Sequence, residues 1–154
     1  LYGEQWEVPE GEYIVPIGRA ELVRQGSEAT IISYGRHLPM CIQAADELTR
    51  QEGIHCDVID LRSLFPYDWE LISQSVRKTG RVLIVNEDTE VTNFAEHLLR
   101  RIVDEHFYDL LVRPRALMGK HVPGIGMNQV YERNSVPQLE DVRAAIRGLL
   151  AEPA

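Results

Sequence analysis

Cysteine is scarce in this chain. The two present, Cys41 and Cys56, do not form a C-x-x-C pair. That excludes a disulfide framework and fits a reducing, intracellular compartment. No apolar run approaches the ~18 residues that a membrane span needs. No basic–apolar–small leader stands at the start. Positive charge is also short: 16 Lys and Arg face 24 Asp and Glu, a net charge of −8. A general nucleic-acid binder needs clustered cations to neutralise phosphates, so that class is set aside. Internal repeats and low-complexity segments are absent. The chain opens Leu1-Tyr2-Gly3 without Met and enters a stretch rich in Pro and Glu. That opening reads as the interior of a longer protein, met at a linker.

Known chemical signatures are missing too. A dinucleotide site needs G-x-G-x-x-G between a strand and its helix. Here only Gly35 follows the first central strand, and the single G-x-G, Gly124-Ile125-Gly126, does not join a strand to a helix. The five histidines, His37, His55, His97, His106 and His121, never fall at i, i+4. Glu87, Asp88 and Glu90 are the one acidic group suited to Mg²⁺, but an exposed acidic loop is more often simply solvated. Ser33 and Ser63 lack a G-x-S-x-G elbow. Cys41 and Cys56 sit at core positions rather than in a reactive setting. Catalytic, cofactor-binding and metal residues are therefore all expected to be absent.

What is present is globular. Hydrophobic residues make up 44% of the 154 and charged ones 26%, enough for one domain with its own core. Residues 1–19 carry Pro9, Gly11, Pro16 and Gly18 and read as an extended linker, with Tyr2, Trp6 and Tyr13 set to pack on something beyond it. A folded domain is expected over 20–151, with 152–154 as a tail. Residues 20–24 read as a short edge strand. Ala29–Tyr34, Cys56–Leu61 and Arg81–Asn86 are continuous apolar runs, the pattern of strands buried on both faces. Arg113–Met118 reads as a further strand.

Helices fall between these strands. One is expected from Pro39 to Gln51, with Cys41, Ala44, Ala45 and Leu48 inward and Gly53 ending it. Asp68 caps a second, closed by Gly80. Asn93 caps a third, whose inward face is Ala95, Leu98, Leu99, Ile102 and Val103. Residues 119–135 show no period. Pro137 is set in the first turn of a last helix with Leu139, Val142, Ala145, Ile146 and Leu149 inward. This alternation predicts an α/β fold: a mostly parallel sheet between two helix layers, a three-layer α/β/α sandwich.

Ligands of an open parallel sheet sit beyond the carboxyl ends of its strands. Four segments occupy that edge: Gly35-Arg36-His37, Arg62-Ser63-Leu64-Phe65-Pro66, Glu87-Asp88-Thr89-Glu90 and Gly119-Lys120-His121. They supply cations and carboxylates but no nucleophile–base pair. Glu87 and Asp88 have two readings. Either they reach toward a neighbouring domain, or they cap the next segment or pair with Arg36 or Arg62; the second is favoured.

Five stretches in order resemble one family. They are Val8–Ala20, Gly26–Gly35, Val58-Ile59-Asp60-Leu61-Arg62-Ser63-Leu64-Phe65-Pro66-Tyr67-Asp68, Lys78–Asp88 and Ser135-Val136-Pro137. Together they are similar to the carboxyl-terminal, transketolase-like domain of the beta subunit of thiamine-diphosphate-dependent 2-oxo acid dehydrogenases. The resemblance implies a five-stranded sheet with one antiparallel edge strand. It implies an oxidoreductase parent that decarboxylates pyruvate or a branched-chain 2-oxo acid and passes the acyl group to lipoamide. Thiamine diphosphate and Mg²⁺ would be held by other domains, so the chain alone would be inactive. Its role would be subunit assembly, in a homodimer or heterotetramer, and docking of the dihydrolipoyl acyltransferase. The compartment would be the cytoplasm, or the mitochondrial matrix in a eukaryote.

The interface residues this implies are Arg62, Phe65, Pro66, Glu87, Asp88, Lys120 and His121. Two departures stand out. Val91-Thr92-Asn93 replaces the paired glycines usual after the Glu-Asp-Thr stretch, which puts a close backbone approach in question. Lys120 and His121 make the late loop basic. The rival parents are transketolase and deoxyxylulose-phosphate synthase; a scaffold module without an enzymatic parent is the third reading.

Overall fold

The computed structural model describes residues 7–154. Tyr2 and Trp6, expected to pack on a neighbouring part, lie outside the described residues. The elements run β1 Glu21–Arg24, β2 Ala29–Ser33, α1 His37–Glu52, β3 Cys56–Asp60, α2 Trp69–Thr79, β4 Val82–Thr89, α3 Phe94–His106, a 3-10 turn Phe107–Asp109, β5 Arg115–Gly119, α4 Gln129–Ser135 and α5 Leu139–Leu150. The sheet order is β1-β3-β2-β4-β5. β1 pairs antiparallel with β3 and every other pairing is parallel.

Two cores flank this sheet because successive strand residues point to opposite faces. Ile31, Val58, Leu83 and Val85 pack under α1 and α5, against Cys41, Ala44, Leu48, Val142, Ile146 and Leu149. Ile32, Ile59, Val82 and Ile84 pack under α2 and α3, against Ile72, Val76, Ala95, Leu98 and Ile102. Each fully buried aliphatic side chain contributes about 1.5–3 kcal/mol.

The helix ends follow local chemistry. Asp68 Oδ1 accepts from Leu71 N–H (3.2 Å) at the start of α2, and Gly80 closes it with φ +61°. Asn93 Oδ1 accepts from Ala95 N–H (2.6 Å), while the Glu96 carboxylate accepts from Asn93 N–H (3.2 Å). The second layer is also tied by polar contacts. His106 bridges Ser73 Oγ, 2.6 Å from its Nε2, and the Asp109 carboxylate, 2.8 Å from its Nδ1.

Several boundaries differ from the sequence expectation. α1 starts at His37, two residues before Pro39, because a proline is tolerated within the first turn where its missing N–H has no helical partner. On α3 the inward position after Ile102 is His106, while Val103 is exposed and Leu99 is only half-buried. β5 begins at Arg115 and reaches Gly119. Pro137 precedes Gln138, the N-cap of α5, and so lies outside the first turn.

Two differences bear on the site. Residues 129–135 form the short helix α4, which carries no buried side chain and so shows no apolar period. β4 runs on through Glu87 and Asp88 to Thr89, past a register shift after Val85. Gly119 makes that extension possible: a Cβ there would stand 2.5 Å from the Glu87 carbonyl oxygen.

Candidate functional site

The strand order reverses between β2 and β4: α1 carries the chain from β2 to one side, and α2 carries it back across β2 to the other. In such sheets the crevice at the reversal, beyond the carboxyl ends of the strands, is the ligand position. Here an ion cluster spans it. Arg36, after β2, places Nη1 2.7 Å from Glu132 Oε1 on α4 and 3.8 Å from Glu87 Oε2 on β4. Between these strands Tyr34 has its hydroxyl pKa raised, first by burial and then by the Asp88 and Glu87 charges.

His37 lies beneath this cluster, fully buried at the start of α1. Its Nε2–H donates to the Pro137 carbonyl (3.0 Å), and Nδ1 is buried with no partner. Burial lowers the imidazole pKa, countered by the Pro137 bond, so the ring is neutral with its proton on Nε2.

Toward β1 the edge changes character. Arg62 adopts φ +54°, donates its backbone N–H to Asp60 Oδ1 (3.1 Å), and turns its guanidinium onto Glu21 and Asp60. Its charge is therefore engaged within its own sheet edge. Phe65 stands 93% exposed, the largest apolar side chain offered at this end of β3. Pro66, after a cis bond to Phe65, packs on Gly18. Beside them Leu64, Tyr67, Phe94, His97 and Arg101 line an open groove of about 540 Å³. The preceding segment exposes Tyr13, Ile14 and Ile17.

Toward β5, Thr89 Oγ1 and His121 Nδ1 are 3.3 Å apart, and His121 N–H donates to Glu90 Oε1 (3.3 Å). Asp88 accepts from Thr89 N–H (2.8 Å). Lys120 donates its backbone N–H to the Ser135 carbonyl (2.8 Å). The seven residues marked from sequence thus share one edge without converging. Arg62, Phe65 and Pro66 follow β3, while Lys120 and His121 follow β5, three strand spacings or about 14 Å away. Glu87 stands beside Arg36, whereas among the described residues Asp88 pairs with neither Arg36 nor Arg62. Glu132 was missed, because α4 has no apolar period and its partner Arg36 stands 96 residues earlier.

The thiols are inert. Burial pushes both Cys41 and Cys56 up to about 12. A magnesium-bound diphosphate does not fit the described residues. None of them form a group of three or more His, Cys, Asp or Glu placed to hold a metal. At the crevice, Glu87 is turned toward Arg36. Gly119 is filled against by the Glu87 and Asp88 backbone, while Gly35, beside Arg36, has no atom within 4 Å of its Cβ position. Among the described residues, no helix is long and apolar enough to cross a membrane.

Comparison with known proteins places these features. The chain is 34% identical over 143 residues to the 2-oxoisovalerate dehydrogenase subunit beta of Bacillus subtilis, covering 93% of this chain and 43% of that protein. It is 35% identical over 154 residues to the pyruvate dehydrogenase E1 component subunit beta of Chlorokybus atmophyticus, covering 99% and 45%. The chain thus spans less than half the length of the curated relatives it matches. Among solved structures, a split-gene transketolase described as an inactive beta4 tetramer superposes with TM-score 0.80 at 26% identity, covering 96% of this chain and 47% of that one. The five-stranded sheet with one antiparallel strand agrees with that fold. The sequence profile described as "Transketolase, C-terminal domain" matches residues 18–142, and the chain belongs to that family.

Proposed function

We propose that this chain is the carboxyl-terminal domain of the decarboxylating component of a 2-oxo acid dehydrogenase, an oxidoreductase that is inactive without its remaining parts. The observation that carries this reading is the match over nearly the whole chain to beta subunits of pyruvate and 2-oxoisovalerate dehydrogenases. Residues 1–19 then act as the linker from a preceding domain, 20–151 as the domain proper and 152–154 as a tail. Thiamine diphosphate and Mg²⁺ belong to the other domains.

The domain's part is assembly. Phe65 and Pro66 supply an apolar contact, and Glu87, Asp88, Lys120 and His121 supply polar ones along the same edge. Arg62 holds the loop that presents Phe65. The partners are the other subunits of the same enzyme, in a homodimer or heterotetramer, and the dihydrolipoyl acyltransferase. The compartment is the cytoplasm, or the mitochondrial matrix in a eukaryote. A transketolase parent is the second reading, favoured by the superposition on the split-gene transketolase.

Isothermal titration of the purified chain with thiamine diphosphate and Mg²⁺ tests the assignment of roles. No micromolar, Mg²⁺-dependent binding is expected. Tight binding would overturn it and return the Glu87–Asp88 carboxylates to the status of a metal site. Decarboxylation of pyruvate or 2-oxoisovalerate by the full-length protein separates the dehydrogenase from the transketolase reading.

A further inference from the structure

The assembly role names Lys120 as an edge cation but leaves the cleft beside it without a ligand. A cleft of about 270 Å³ opens between the end of β5, the end of α4 and the start of α5. Two cations line it, Lys120 and Arg133. Neither has a carboxylate within ion-pair distance among the described residues, whereas the other cations of this sheet edge are engaged: Arg36 by Glu132, Arg62 by Glu21 and Asp60. In a chain of net charge −8, two unpaired cations on one concave surface call for an anion from outside.

The neutral donors of the cleft are already spent on the protein. Asn134 Nδ2–H donates to the Val130 carbonyl and Ser135 Oγ–H to the Tyr131 carbonyl, both at 2.7 Å. The Asp141 carboxylate accepts from Gln138 N–H (2.8 Å) and so offsets the positive end of α5. What the cleft offers an anion is therefore the pair of side-chain cations, with the Asp141 carboxylate as the negative group of the lining. Guanidinium presents paired N–H donors that match phosphate oxygens, and ammonium adds a compact second charge. The volume lies just below the ~300–1,000 Å³ of pockets for drug-sized ligands, which suits a phosphoryl group with little attached. The cleft lies at the edge strand β5, one strand beyond the reversal between β2 and β4.

We propose that Lys120 and Arg133 form a binding site for a phosphate dianion, free or as a small monoester, in the cleft between β5, α4 and α5. The site is separate from the Phe65 surface and independent of which enzyme the chain belongs to. Its lining sets two cations against one carboxylate, Asp141, so a metal-free phosphate rather than a magnesium-bound diphosphate is its ligand.

The test is calorimetric titration of the purified chain, without Mg²⁺ and at constant physiological ionic strength, because exposed charges are screened by salt. Inorganic phosphate and glycerol phosphate are the probes, with succinate as a dicarboxylate control. Saturable millimolar binding of a phosphate is expected, weakened at least tenfold in Lys120→Gln and in Arg133→Gln. Arg50→Gln, which removes an exposed arginine of α1, leaves it unchanged. Equal affinity for the two phosphates identifies the free ion as sufficient; tighter glycerol phosphate identifies the ester. Binding that does not saturate, that succinate matches, or that Arg50→Gln weakens equally would overturn the proposal. Both site residues are exposed, so unchanged thermal unfolding of the variants establishes that they fold.

Discussion

Arg36 and Glu87 face each other across the reversal of strand order, Nη1 3.8 Å from Oε2, with Glu132 closing the cluster at 2.7 Å. The position that a ligand takes in related architectures is filled here by the chain's own charges.

That cluster is partly solvated, so its effect on stability is small. Exposed ion pairs contribute about 0–1 kcal/mol each. Arg36→Met is expected to lower stability by about 1 kcal/mol or less, read as a shift of the urea midpoint with an unchanged slope. A loss of several kcal/mol would show that the cluster anchors α4 to the sheet.

His37 makes stability depend on pH. Its folded pKa is lowered, chiefly by burial, so below the unfolded value of about 6.5 the unfolded chain binds a proton that the folded chain refuses. The His37 contribution is fully present above that value and declines as pH falls through it. Urea midpoints at pH 7.5 and 5.5 are expected to differ more for the native chain than for His37→Gln. Equal differences would show that other groups carry the pH dependence.

Thr92 takes φ +63°, a conformation that β-branched residues rarely adopt. Left-handed backbone costs an ordinary residue about 1–2 kcal/mol. Glycine removes that strain but adds about 0.5–1 kcal/mol of unfolded-state entropy. Thr92→Gly is expected to stabilise the chain by up to about 1 kcal/mol, and thermal unfolding measures it. A destabilised variant would mean that the threonine side chain holds the turn.

Phe65 touches water over nearly its whole surface, so Phe65→Asp is expected to leave the urea midpoint within about 0.5 kcal/mol of the native chain. Buried aromatic anchors dominate interface energies. In the assembled enzyme the same substitution should weaken subunit association at least tenfold by sedimentation velocity. Unchanged association would remove Phe65 from the interface.

Much of this architecture was readable in the residues. Ile31-Ile32, Val58-Ile59 and Leu83-Ile84 mark strands because both of their faces are buried. Asp68 and Asn93 mark helix starts because their side chains satisfy free backbone N–H groups. The site was less readable because its relationships are distant in sequence or made by backbone. The Arg36–Glu132 contact joins residues 96 apart. The continuation of β4 to Thr89 depends on Gly119 pairing from another strand. At Thr92 the missing glycine suggested a lost backbone approach, yet the chain takes the left-handed turn with a threonine.

The sheet separates two sets of side chains that never meet: Leu48 and Ile146 on one face, Ile72 and Ile102 on the other. Residues without shared partners respond independently to substitution, to within about 0.3–0.5 kcal/mol, whereas neighbours do not. Losses from Ile146→Val and Ile102→Val should therefore sum, while Leu48→Ala and Ile146→Val should show a coupling energy. Each helix layer can then drift in sequence on its own, and only the strands, which serve both layers, must answer to the two at once.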